Sequence, residues 1–209
     1  MTGKSYDASR ITVPDFDAGA RARPGMYFRY GQGDPRLATA VLSAVAGHVL
    51  HPATAVAPSH SLNGLVEITG DLSFTVTLDE PHSWEGQEGP APGYFGSLLG
   101  PEWLLPAAAA ALTTRTVVET WCGGRGFRQE LAGLRPVSAP LEQAVPTGCG
   151  SRWEFALDEG YFGPGAALTR EPGRLDPCEP ACAGPAGPGR VVVRDLRDGG
   201  WGEACFPKI

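Results

Sequence analysis

Ala20-Arg21-Ala22-Arg23-Pro24-Gly25-Met26-Tyr27 is the stretch on which the reading of this chain turns. Pro-Gly marks a tight turn: proline presets φ at the first central position, and glycine accepts the positive φ that a type II turn requires next. Alone, such a turn signals any chain reversal, so its setting matters. Upstream, residues 1–19 form an arm that includes Ser5-Tyr6-Asp7-Ala8-Ser9-Arg10-Ile11-Thr12-Val13. It reads as extended, has little apolar periodicity of its own, and must pack on something else. Downstream, Asp34-Pro35 is a helix start, with aspartate as cap and proline in the first turn. Leu37, Ala38, Val41, Leu42, Val45, Val49 and Leu50 then recur at three- and four-residue spacing, which predicts a buried helix over 34–50, ended by Pro52.

Further along, 65–69 and 73–78 are strand-like runs joined by a Gly70-Asp71 turn, a hairpin signal. Residues 80–101 read as loop, and 104–112 as an alanine-rich helix. A second hairpin, 116–122 with 126–131, folds around Gly123-Gly124. Residues 151–157 form a strand with Trp153, Phe155 and Leu157 on one face. The Pro-, Gly- and Cys-rich segment 168–189 is irregular. A last strand over 190–195 leads to a turn at Arg197-Asp198-Gly199.

The totals bound the rest. A chain of 209 residues, 42% hydrophobic and 19% charged, suits one globular domain with a real core. Its 29 Gly and 20 Pro predict long loops. With 17 basic against 23 acidic residues, a net charge of −6 and no basic run, direct nucleic-acid binding is not expected. The first residues lack the apolar segment of a secretory signal, and no apolar run reaches spanning length, so the expectation is a cytoplasmic chain without membrane contact. Five cysteines, an odd number, argue against a complete disulfide framework. Cys178 and Cys182 have zinc-like spacing but too few companions, so free thiols or one local disulfide is the better reading, with no metal.

Residues 5–13 followed by 20–27, together with Val191-Val192-Val193-Arg194-Asp195-Leu196-Arg197-Asp198-Gly199, resemble the N-terminal GHKL (Bergerat) ATPase domain of the bacterial gyrase B family and its topoisomerase IV counterpart. The resemblance implies an α/β two-layer sandwich: a mixed sheet covered by helices on one face, with residues 1–19 as an exchanging arm and 20–209 as the domain. It implies a homodimer formed through the arm, with Tyr6 reaching the partner subunit.

The same resemblance shows what is missing. Laid against the family pattern, Ser43 stands at the glutamate that polarises water, Gly47 at the magnesium asparagine and Leu78 at the adenine aspartate. Serine is no base at neutral pH, and glycine offers no metal ligand. Gly93-Tyr94-Phe95-Gly96 is the nearest remnant of the phosphate-wrapping lid, which is shortened. Gly150-Ser151 keeps part of the threonine-bearing strand start. The reading is a degenerate homologue that has lost ATP binding and hydrolysis and needs no cofactor.

The substitutions instead suggest a pocket of Ser43, Ala44, Gly47, Val76, Leu78, Ser151 and Trp153 for a small, largely apolar organic ligand, with Gly47 leaving volume where a side chain stood. His48, Asp79 and His82 are its candidate catalytic groups, with His51 and Cys122 nearby. An ATP-independent enzyme of specialised metabolism would fit. The alternatives are a modulator or protector of DNA gyrase acting through the arm, and a non-hydrolysing pseudo-ATPase.

Overall fold

The computed structural model of the protein describes residues 15–51, 62–80, 89–177, 189–197 and 202–207. Three helices come first: α1 (Phe16–Ala22), α2 (Gly25–Phe28) and α3 (Leu37–Leu50). The hairpin β1 (Asn63–Gly70) and β2 (Ser73–Leu78) follows, then α4 (Leu104–Ala110) and a second hairpin of β3 (Thr113–Cys122) and β4 (Arg125–Ala132). Short strands β5 (Arg135–Pro136) and β6 (Leu141–Gln143) border β4. β7 (Gly150–Leu157), the one-turn helix α5 (Glu159–Phe162), β8 (Arg190–Asp195) and β9 (Gly202–Phe206) complete the described elements.

The strands form one sheet in the order β5-β4-β3-β7-β2-β1-β8-β9, with β6 also on β4. β1 and β8 are parallel and every other described pairing is antiparallel, so the sheet is mixed. β7 separates the two hairpins by pairing with both β2 and β3.

Strand alternation sets the layers. Val66, Ile68, Phe74, Val76, Trp153, Phe155, Val191 and Val193 are buried and share one core with α3 and α4. The other face carries ion pairs such as Arg128–Glu119 at 3.3 Å and Arg115–Glu130 at 3.0 Å, both partly exposed. Among the described residues helices therefore cover one face only, as the two-layer reading expects. Among the described residues no helix is long and apolar enough to cross a membrane.

Several details depart from the sequence reading. Pro24 is in the right-handed helical region and opens α2, so Pro24-Gly25 starts a helix and is not a type II turn. α1 takes in residues 16–19, where the sequence predicts an extended arm. Its helix is fixed by tertiary partners: Arg21 Nη2 donates to Asp158 Oδ2 at 2.7 Å, and Tyr161 Oη donates to the Arg21 carbonyl at 2.7 Å. Asp34 precedes α3 by three residues, where it accepts from Arg36 N at 2.9 Å and pairs with that guanidinium. Cys122, a candidate reactive group by sequence, is joined to Cys149 in a disulfide between the end of β3 and the start of β7.

The motif at 191–197 has a structural use. Arg197, its side chain 5% exposed, grips Asp195 through Nε at 2.8 Å and Nη2 at 2.7 Å. It also reaches Asp71 Oδ1 at 3.1 Å in the β1–β2 turn and the carbonyls of Leu168 and Thr169 at 3.2 and 2.6 Å. One guanidinium thus ties the end of β8 to the first hairpin and to the irregular segment. Its hydrogen bonds hold the Asp195 carboxyl below its ordinary range. Removing one partner of a buried pair leaves an uncompensated charge, which costs about 3–5 kcal/mol. Arg197→Met should lower stability by that order in denaturant unfolding. A loss under about 1 kcal/mol would show that the pin is dispensable.

Candidate functional site

Two cavities lie on either side of the His48–Trp103 contact. The first, about 300 Å³, lies beside α3 and is lined by Met26 to Arg29, Ala40, Ser43, Ala44, Gly47, His48, His51, Leu105, Asp176 and Pro177. The second, about 280 Å³, lies over the sheet. Thr120 of β3, Ser151 and Trp153 of β7 and Glu80 just beyond β2 form its floor and wall. Pro90, Ala91, Pro92, Leu98, Gly100, Pro101, Glu102 and Trp103 complete it.

Trp103 joins the two. It is 4% exposed and meets Trp153 edge-on, with ring centroids 4.7 Å apart. On its other side the His48 ring lies at 5.5 Å. The indole stands between α3 and β7, inside the space that the sequence reading treats as a single pocket.

The sequence-predicted residues are therefore divided. Ser43, Ala44, Gly47 and His48 share the helix-side cavity, together with His51. Ser151 and Trp153 belong to the sheet-side cavity. Val76 and Leu78 are 0% and 2% exposed, and both belong to the core. Asp79 lines neither cavity. It faces the sheet end, where its carboxylate accepts from the Asn63 backbone N–H at 2.6 Å and from Nδ2 at 2.7 Å. Tyr6, His82, Cys178 and Cys182 lie outside the described residues.

His48 Nε2 is 3.0 Å from the Glu102 carbonyl, which can only accept, so the ring proton sits on Nε2. Burial holds the imidazole below its ordinary pKa, opposed by that hydrogen bond. His48 is thus a neutral donor braced against the loop that leads into α4. Among the described residues, no three His, Cys, Asp or Glu side chains gather as a metal site.

The group that the sequence reading does not single out is Glu80. It is 6% exposed, and Ser151 Oγ donates to its Oε1 at 2.6 Å. Thr120 Oγ1 lies 3.3 Å from the same serine hydroxyl. Burial pushes the Glu80 carboxyl up to about 7; the Ser151 hydrogen bond opposes this, and the neighbouring charge of Glu102 adds to it. Glu80 follows Val76 and Leu78 at two-residue spacing. Strand alternation, carried two residues past Leu78, places it on the inner face.

The segment over this cavity closes on itself. Gly93 N–H donates to the Ser97 carbonyl at 2.7 Å, Tyr94 N–H to Leu99 at 2.9 Å, Gly96 N–H to Gly93 at 3.1 Å and Ser97 N–H to Tyr94 at 2.8 Å. A side chain at Gly93 would collide with the Leu99 carbonyl, so the turn needs glycine.

No protein-family model matches this chain. No curated protein sequence matches it either. Among solved structures, it is similar to the B subunit of DNA gyrase from Myxococcus xanthus, at 21% identity and a TM-score of 0.62, over 91% of this chain and 55% of that one. The chain spans about half the length of that protein. At this identity the likeness concerns the fold, and the α/β two-layer architecture is accordingly that of the gyrase B ATPase domain.

Two predictions come from this geometry. Gly47, expected from sequence to leave free volume, packs against Pro177, whose carbonyl oxygen stands where a Cβ would go. Replacing a helical glycine gains about 1 kcal/mol of propensity, whereas overpacking costs about 1–3 kcal/mol. Gly47→Leu should therefore melt earlier than the native chain, and an unchanged or higher melting temperature would mean that Pro177 yields freely.

Glu80 should also impose a pH-dependent loss of stability. Its carboxyl titrates near 4.5 when unfolded and at about 7 when folded, so the folded state holds the proton more tightly. Stability is then fullest below pH 4.5 and falls as pH rises through 7, by about 3 kcal/mol in total. Glu80→Gln should exceed the native protein in stability at about pH 8 by up to about that much, with the gap closing toward about pH 5. Equal stability at both pH values would mean that Glu80 is not held neutral by burial.

Proposed function

We propose that this chain is a small-molecule-binding protein built on the gyrase B ATPase-domain fold, working without ATP. Its ligand has a largely apolar body and sits in the cavity formed by Trp103, Trp153, Leu98 and the Glu80–Ser151 pair. The observation that carries this reading is the cavity itself: about 280 Å³, walled by two indoles, with one buried hydrogen-bonded carboxyl on its floor. Aromatic walls beside a few placed polar groups suit a small organic ligand. Glu80, poised near neutrality, is the group placed to exchange a proton with whatever binds there.

Four features favour independence from nucleotide. Trp103 stands between α3 and β7, and Leu78, at the position of the adenine aspartate, is core. The amides of residues 93, 94, 96 and 97 already donate within their own turn. Ser43 and Gly47 bring neither a base nor a metal ligand to α3. On this reading, independence from nucleotide resides in the side chains while the scaffold is kept.

Calorimetric titration with ATP and magnesium, followed by a phosphate-release assay, tests the reading. The expected outcome is no saturable heat and no release above background. Micromolar binding, or turnover that depends on the chain, would overturn it.

A further inference from the structure

The sheet-side cavity has a consistent electrostatic sign. Two carboxyl groups, Glu80 and Glu102, line it, and none of its described lining residues is Lys, Arg or His. The indoles of Trp103 and Trp153 line it, held edge-to-face at 4.7 Å. Indole faces carry negative electrostatic potential and attract cations, more strongly where water is excluded. The Ser151 and Thr120 hydroxyls come from β7 and β3 and bring no charge.

Resting on the small-molecule reading above, we infer that the ligand of this cavity is an organic cation, an ammonium group on an apolar body, held between the tryptophans and the Glu80 and Glu102 carboxylates. An anion or a phosphate would meet two carboxyl groups across the same walls. A neutral apolar molecule would fill the volume but gain nothing from either carboxyl group or from the quadrupoles of the two indoles.

The pairing has a proton signature. Without a cation, burial and the Glu102 charge keep Glu80 largely protonated up to about pH 7. A bound cation stabilises the carboxylate, so binding releases the proton and strengthens as pH rises. Among the described residues, the groups that face Glu80 are Glu102 from the segment before α4, Ser151 from β7 and Thr120 from β3; of these, Glu102 alone carries charge.

The test uses the full chain and an isosteric pair, phenyltrimethylammonium and tert-butylbenzene. The cation carries a permanent charge, so any pH dependence belongs to the protein. Affinities are read from tryptophan indole NMR shifts at about pH 6 and about pH 8, with calorimetry of the cation in buffers of different ionisation enthalpy to count protons. The cation should bind at least about tenfold tighter than its neutral isostere at the higher pH. It should gain roughly tenfold between the two pH values while releasing a proton. Glu80→Gln, which keeps a hydrogen-bonding side chain beside Ser151, should abolish the pH dependence and weaken the cation at about pH 8 by roughly tenfold, leaving only the preference that Glu102 and the indoles supply. Its retained affinity for tert-butylbenzene would show that the cavity is intact.

Equal affinities with a flat pH profile would overturn the cation assignment and leave the small-molecule reading standing. Binding of neither probe at millimolar concentration would overturn both.

Discussion

Helix α3 has no solvent face, and the architecture follows from that. Of its 14 residues, 11 are buried, from Leu37 round to Leu50, including Ser43 and Gly47. Such a helix cannot lie on a surface; it needs a sheet on one side and a second layer of chain on the other. β1, β2 and β8 supply the first, while α2, α4 and the segment at Pro177 supply the second. Small residues make this possible. Ala38, Ala40, Ala46 and Gly47 let backbone approach the helix closely, and the one polar side chain among its buried positions is the short Ser43.

This dense packing also explains the split of the site. With Ser43 and Gly47 small, Pro177 settles on the helix and Trp103 lies between helix and sheet. What is left lies on both sides of one indole. The polar chemistry gathers at the sheet end, where Glu80, Ser151 and Thr120 meet across three neighbouring strands or their extensions.

Where local pattern carries the signal, sequence and structure agree closely. The strands at 73–78 and 190–195 have the bounds read from alternation, and α3 ends at Leu50, just before Pro52. Illegible elements owe their form to distant partners. α1 has few apolar positions and depends on Arg21 meeting Asp158 and Arg135 meeting Asp17. β9 exists because β8 offers it an edge, and the two-residue β5 because β4 does. Glu80 is legible in principle: Asp79 beside it is the more obvious chemical residue, yet alternation turns Asp79 outward to Asn63. Trp103 and the Cys122–Cys149 pairing are not, because both depend on tertiary proximity that no local spacing encodes.

The parallel pairing of β1 with β8 has a consequence for the order in which the molecule is made. β1 leaves its synthesis site early, yet its register partner on that side arrives only with residues 190–195, after more than half the chain has intervened. Until then one long edge of β1 has no cover, and the Arg197 pin that secures the first hairpin is also absent. The decisive step is therefore a late one: a late strand must find an early one across a long loop closure, the kind of non-local contact that slows folding most. During that interval the exposed strand edge is open to wrong partners, and a ribosome-bound nascent chain would need its edge protected.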